Sequence, residues 1–376
     1  MTTIYLIRHA EAEGNLYRRV QGHFNGQITQ QGHRQIAALA ERFRDVQIDA
    51  LYSSDLDRTV TTAGAILKYH DLPHVKTPRL REVHMGWWEG KPWGNVQEKE
   101  PEQMQYFSND PANWIVEGNE HFDVLTDRMV SAIRDIAAEN EGKTVAVVSH
   151  GMAIRALLAN TLGIASADIK NIPHGDNTAV SKLRVENGVI TADFVNDNSH
   201  LDSSISTFAK QTWWKHKSGT DPNNMSLYPM DPSEEKKLYI DCYRDAWISV
   251  HGDALDFNGS FYWKRAIEHH KAHPEAVMKA YAGPDFAGLV DLDPQHSAEE
   301  GVGWISLCYL RPEFRGQHLG VQLIGHAIVT YRDLGRKVLR LNVSKKNTTA
   351  IGFYTRFGFK DITPGRGDQR TMELVL

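Results

Sequence analysis

The chain has 376 residues, 41% of them hydrophobic, and a net charge of −5. That length is too great for one typical domain and comfortable for two. The mild acidity lacks the basic footprint of a nucleic-acid binder, and no apolar run approaches the roughly 18 residues of a membrane span.

Cys242 and Cys308 lie far apart and in no motif. No disulfide framework is implied, and a reducing, cytoplasmic compartment is expected. The first strand begins almost at once, without a basic n-region or an apolar h-region, so no signal peptide is expected.

Residues 1–201 alternate short β-rich runs with longer helical patterns, which predicts βα units around a mostly parallel sheet. Strands are expected at Ile4–Ile7, Leu51–Ser53 and Thr144–Ser149. Helices are expected at Gln31–Phe43, Leu56–His70, Phe122–Glu139 and Met152–Leu162. Asn187-Gly188 marks a hairpin turn between Ala179–Val185 and Val189–Val195. A polar stretch follows, and we read residues 202–224 as a linker, although Trp213 and Trp214 suggest that part of it packs on something. A second domain, 225–376, shows a short strand from Met225 and a helix at Glu234–Val250. Strands follow at Val277–Ala282, Phe286–Leu292 and Val302–Leu310. A helix at Leu319–Leu334, a strand at Val338–Val343 and a helix at Thr348–Phe357 complete it.

Three strand ends of the first domain carry chemistry. The first ends in Arg8-His9, the second in Ser54-Asp55 with Arg58 in the next helical turn, the third in His150-Gly151. Ligands of open α/β sheets bind beyond the carboxyl ends of parallel strands, where helix N-termini favour anions. Two arginines and two histidines converging there predict a phosphate site, since a guanidinium makes two-point contacts with phosphate oxygens. No carboxylate–histidine spacing suits a metal. A neutral His9 can attack phosphorus. Arg8, Asn15, Arg58 and His150 can hold the oxygens, and Glu82, ahead of Trp87, Trp88 and Trp93, is the candidate acid for the leaving group. The tryptophans themselves read as core or pocket wall.

These residues, with Gln21-Gly22, Thr29, Gly86, Glu89-Gly90 and Asn196-Asp197…His200-Leu201, resemble the histidine phosphatase superfamily, which includes phosphoglycerate mutases. The resemblance spans residues 1–201 and implies a three-layer α/β/α fold. It also implies His9 as the phosphorylated residue, Arg8, Arg58 and His150 as the phosphate pocket with Asn15 assisting, and Glu82 as proton donor. Ala10 and Ala12 stand where the family usually has Gly and Thr or Ser. The short spacing between motifs favours hydrolysis over mutase action.

In the second domain, Arg315-Gly316-Gln317-His318-Leu319-Gly320 joins a strand to a helix, where backbone N–H groups can face a pyrophosphate. With Asn347, Ala350, Phe353, Tyr354 and Gly358-Phe359, this stretch is similar to the GNAT acetyltransferase family. The similarity implies an α+β domain with a mixed, splayed sheet. Acetyl-CoA would be cradled by the N–H groups of residues 315–320, its pantetheine arm along Cys308–Leu310, with Tyr354 protonating the leaving thiolate. His318 stands where the family usually has glycine. Asp291, Asp293 and Glu299 are open alternatives for the amine's base.

The sequence thus predicts a bifunctional enzyme: a metal-independent phosphatase for a small phosphorylated substrate, joined to an N-acetyltransferase for an amine acceptor. A mutase-type phosphotransferase and a GNAT-like domain that only binds CoA are the alternatives. Neither nucleic acid nor membrane is expected as a partner, and oligomeric state is not legible.

Overall fold

The computed structural model describes residues 1–211, 221–363 and 367–376. It divides into two compact units, Met1–Asp221 and Pro222–Leu376. Trp213 and Trp214 lie outside the described residues.

The first unit runs β1 (Thr2–Arg8), α1 (Glu13–Tyr17), α2 (Gln30–Phe43), β2 (Ala50–Ser53), α3 (Asp57–Leu67), β3 (His74–Lys76), α4 (Trp93–Lys99) and α5 (Pro101–Asn109). It continues with α6 (Phe122–Glu139), β4 (Thr144–Ser149), α7 (Gly151–Leu162), β5 (Val180–Glu186), β6 (Val189–Asp197) and α8 (Thr207–Lys210). The sheet order is β3-β2-β4-β1-β5-β6. The first four strands are parallel, and the β5–β6 hairpin closes the edge antiparallel.

Strand β4 is apolar from Val145 to Val148 because both its faces are covered, as parallel strands require. Val145 and Val147 share a core with Ile4, Leu6 and residues of α6 and α7, while Ala146 and Val148 join Ile7 and residues of α2 and α3 on the other side. This is the expected α/β/α layering. At the hairpin, Asn187 and Gly188 both take positive φ, 50° and 75°, as a type I′ turn demands. Trp88 packs edge to face or tilted on Trp93, Phe107 and Trp114, so the tryptophan run builds core.

The second unit runs β7 (Met225–Pro229), α9 (Lys236–His251), α10 (Gly259–Ala272), β8 (Val277–Ala282), β9 (Asp285–Asp293), β10 (Val302–Leu310), α11 (Gly320–Asp333), β11 (Val338–Ser344), α12 (Thr348–Phe357), β12 (Lys360–Thr363) and β13 (Gln369–Val375). Its sheet order is β12-β13-β11-β10-β9-β8-β7. Among the described strands only β10 and β11 run parallel, and they pair just through Val302–Ile305 and Val338–Leu341. Beyond Ile305, β10 stays bonded to β9 as far as Leu310 while β11 continues with β13. The two strands therefore part in the middle of a mixed sheet.

The stretch 202–224, read as a linker, is divided by the structure. Residues up to Asp221 belong to the first unit. Among its described residues, Ile205, Ser206, Thr207 and Asp221 bond that unit. Gln35 Nε2 donates to Ile205 O at 2.8 Å and to Thr207 Oγ1 at 3.0 Å. Thr207 Oγ1 donates to Glu11 Oε2 at 3.2 Å, and Arg18 pairs with buried Asp221 at 2.8 Å. Among the described residues, no helix is long and apolar enough to cross a membrane.

Candidate active site

Parallel pairing of β2, β4 and β1 brings the three chemistry-bearing strand ends together. His9 follows β1 and is 4% exposed. Its ring lies 5.3 Å, centroid to centroid, from that of His150, the residue preceding α7. His9 Nδ1 is 2.8 Å from the Ala10 carbonyl oxygen. A carbonyl only accepts, so Nδ1 carries the proton and Nε2 keeps its lone pair. Burial, reinforced by the charges of Arg58 and Arg8, holds the His9 pKa well below the ordinary 6.5. The ring is therefore neutral and nucleophilic.

His150 has the opposite tautomer. Arg58 Nε donates to its Nδ1 at 3.1 Å, which leaves the proton on Nε2. Burial and the charge of Arg58 again push the pKa well below 6.5. Arg58 is wholly buried; Nη1 donates to Phe24 O at 2.9 Å and Nη2 to Gly22 O at 2.6 Å. Burial draws its pKa down to about 10. Arg8 Nη1 donates to Gly175 O at 2.6 Å. Two buried donors, Arg8 Nε and His150 Nε2, have no hydrogen-bond partner among the described residues. Buried donors left unpaired are costly, and an anion placed between these two would satisfy both.

Glu82 accepts from Val83 N at 3.0 Å and Ala153 N at 2.9 Å on Oε1, and from Met152 N at 3.0 Å on Oε2. It thus sits at the N-terminus of α7, held by backbone amides. A methyl group placed on Gly151 would stand 3.5 Å from Arg8 Nε and 3.7 Å from Glu82 Oε2, so both groups converge on that point. Asn15 is turned partly to local work, since its Oδ1 accepts from Ala12 N at 3.0 Å. The Gly22 loop is pinned by Glu89, which accepts from His23 N and Phe24 N at 2.8 Å each. A β-carbon on Gly22 would fall 2.4 Å from Val83 O, so the loop requires glycine there.

Sequence reasoning missed residues 174–178. Asn177 Nδ2 and Thr178 N both donate to the His9 carbonyl oxygen, at 3.0 and 3.3 Å. His200, one of the closing family residues, lies 3.0 Å from Thr178 Oγ1. His23 and His84 pack edge to face 4.9 Å apart, with His23 Nε2 3.0 Å from Glu82 O.

A neutral His9 has a consequence for pH dependence. The profile of kcat/KM reports the free enzyme, so any acid limb due to His9 should lie below pH 6.5. Half-loss at or above that pH, traced to His9, would contradict this site.

In the second unit the parting of β10 and β11 opens beside Tyr354. Its hydroxyl is hydrogen-bonded with the Cys308 thiol, and burial raises the phenol well above its ordinary pKa. It is thus a neutral proton donor. Burial likewise raises the Cys308 thiol to about 12, which makes it a poor nucleophile. The loop from Arg315 to Leu319 is exposed for most of its length. Gly316 has φ +75° and His318 φ +59°, so both lie in the left-handed region that favours glycine. This conformation costs a β-carbon residue roughly 1–2 kcal/mol. It explains why glycine suits the position. Arg315 Nε donates to Leu310 O at 2.8 Å, and Nη2 reaches Asp245 at 3.1 Å. Gln317 Nε2 donates to Glu313 O at 2.7 Å. Leu319 is buried at the start of α11, ahead of Gly320. Asn347 caps α12 by accepting from Ala350 N at 3.1 Å. The divided strands, the exposed loop entering a helix and the buried phenol fit acetyl-CoA.

None of the three base candidates serves. Asp291 accepts from Tyr239 and His269, and Asp293 from Arg265 and His269. Both are spent on structure. Asp293 pairs with Trp304 at the end of β10 away from the parting, and Glu299 lies in the turn just before that same end.

The model of the histidine phosphatase superfamily (branch 1) matches residues 4–198, and that of the acetyltransferase (GNAT) family matches residues 236–359. A metal-independent phosphoserine phosphatase of Arabidopsis thaliana is 35% identical over 206 residues, 54% of this chain and 84% of that protein. A probable phosphoglycerate mutase GpmB of Yersinia pestis (strain Pestoides F) is 35% identical over 164 residues, 44% of this chain and 76% of that protein. Among solved structures, Bacillus stearothermophilus YhfR superposes with a TM-score of 0.52 at 29% identity, covering 54% of this chain and 100% of that one.

Proposed function

Because the chain belongs to the histidine phosphatase superfamily and carries a GNAT acetyltransferase domain in its second unit, we propose that it hydrolyses a small phosphomonoester through a phosphohistidine and transfers an acetyl group to an amine. The observation that carries the first activity is the lone pair on His9 Nε2 beside two unpaired buried donors, Arg8 Nε and His150 Nε2. His9 Nε2 attacks phosphorus and the P–O ester bond breaks. The leaving oxygen takes a proton from the Glu82 carboxyl. Water then attacks the phosphohistidine and returns a proton to Glu82. Arg8, Arg58, Asn15 and His150 hold the phosphoryl oxygens throughout. The metal-independent relative supports chemistry without a metal.

The mutase-type relative favours a second reading, in which the phosphoryl group passes to another hydroxyl. A screen of phosphomonoesters, phosphoserine among them, read as inorganic phosphate released, tests hydrolysis. Exclusive transfer to an added acceptor would overturn it.

For the second unit, acetyl-CoA supplies an activated acyl group as a thioester. In this reading the N–H groups of Arg315–Gly320 receive its pyrophosphate. In this reading the edge of β10 from Cys308 to Leu310, which β11 leaves after Ile305, takes the pantetheine amides, Asn347 holds the start of α12, and Tyr354 donates a proton to the departing sulfur. Tyr354→Phe is expected to slow acetyl transfer about 10²-fold or more with phosphatase turnover unchanged. Parallel assays on one preparation check this, and an unaltered transfer rate removes Tyr354 from the reaction. The left-handed His318 also supports a reading in which the domain binds CoA without turnover. Calorimetric titration with acetyl-CoA followed by an amine screen separates the two.

A further inference from the structure

We propose that Ser206 is a positioning residue of the phosphatase site, acting through Asp176 on Arg8. The stretch that leads out of the first unit would then be part of its active site. This rests on the reading of Arg8 as a phosphate ligand. Ser206 Oγ donates to Asp176 Oδ2 at 2.6 Å, and the contact is buried. The other carboxylate oxygen of Asp176 accepts from Asn177 N at 2.7 Å. Both oxygens are fixed, so the carboxylate cannot turn without losing a buried bond.

Asp176 compensates the buried charge of Arg8. Burial lowers the Arg8 pKa, and the charge of Asp176 is the larger of the two that oppose this, ahead of Glu82. Arg8 Nη1 is also bonded to the residue before Asp176, through Gly175 O. The residues after it, Asn177 and Thr178, hold the His9 carbonyl. One short segment therefore grips both members of the Arg8-His9 pair, and Ser206 fixes the middle of it from outside. Ser206 Oγ also accepts from Ala209 N at 3.0 Å, and the neighbouring Thr207 bonds Glu11, two residues past His9. The geometry needs a hydroxyl at 206, which serine and threonine both supply.

The test uses the full chain, with p-nitrophenyl phosphate as substrate and inorganic phosphate as inhibitor. Ser206→Ala should raise KM and the phosphate inhibition constant roughly three- to tenfold, the net worth of one typical intramolecular hydrogen bond. The kcat value should stay within about twofold, and Ser206→Thr should restore binding. An unchanged inhibition constant in folded Ser206→Ala, or a Ser206→Thr variant as impaired as alanine, overturns the proposal. Should Ser206→Ala fail to fold, Asp176→Asn keeps the volume and removes the charge, and a weakened phosphate affinity is again required. Arg8→Ala, measured alongside, separates two failures. An unchanged inhibition constant there sinks the reading of Arg8 itself. A raised one there, with none in Ser206→Ala, sinks only the positioning role.

Discussion

Replacing His9 by alanine is expected to abolish phosphatase turnover, by at least about a thousandfold, while both units remain folded. The size of the effect follows from the role: without Nε2 no phosphoenzyme forms, and the remaining groups can only bind. The fold should tolerate the change. Among the described residues the His9 side chain makes one hydrogen bond, Nδ1 to Ala10 O, with a net worth of about 1 kcal/mol. The bonds that fix its backbone, from Asn177 and Thr178 to its carbonyl, remain. Arg8, Arg58 and His150 also remain, so inorganic phosphate should still bind. Phosphate release and calorimetric phosphate binding measured on the same protein separate the two roles. Full turnover in His9→Ala would mean that the nucleophile lies elsewhere.

The second large effect lies in the other unit. His269 is 4% exposed, with Nδ1 2.7 Å from Asp291 Oδ1 and Nε2 3.2 Å from Asp293 Oδ2. Burial alone would lower its pKa. The bonds and charges of the two aspartates more than reverse this and raise it to about 9. The imidazolium is thus the folded form at neutral pH. A group whose pKa is raised by folding stabilises fully below its unfolded value, near 6.5, and ceases to do so as pH rises through about 9. The second unit should therefore be most stable near pH 6 from this source and lose the contribution between pH 6.5 and 9 or so. His269→Ala leaves Asp291, buried between helix and sheet, with Tyr239 as its remaining bonded partner. Breaking such a buried pair costs about 3–5 kcal/mol. Thermal melting across pH checks both points. A midpoint unmoved by the substitution, or a pH dependence of opposite sign in the unsubstituted protein, would refute the assignment.

The two predicted effects come from places of unequal legibility. The convergence of the candidate phosphate groups was readable because they follow apolar runs directly: Arg8-His9 after β1 and His150-Gly151 after β4. A strand burying both faces announces itself as an unbroken apolar stretch, and its end marks the crevice. The Asn187-Gly188 turn was readable for a similar reason, since few residue pairs take two positive φ values.

Other features left little trace. Helix α10 carries two histidines, two lysines and an arginine with three aromatics, and its buried face is narrow, so no apolar period stands out. The grip of residues 174–178 works largely through backbone carbonyls, Gly175 O and His9 O, which any sequence supplies. The linker reading failed at Ser206, Thr207 and Asp221 because small polar residues look the same free in solvent or committed to buried bonds. Asp291 and Asp293 looked like free bases for want of any sign that His269 and Arg265 claim them. The left-handed backbone at His318 shows in the sequence only through the glycine that the resembling family usually has there, since histidine itself suggests no such turn.

The central claim is that His9 carries the phosphoryl group. The most direct measurement is to mix the full chain with a turned-over phosphomonoester, quench within the first turnover, digest under conditions that preserve phosphohistidine and map the modification by mass spectrometry. The account predicts a phosphoryl group on His9, absent in His9→Ala. Phosphate release without any modification at His9, or with the label on another residue, would contradict it.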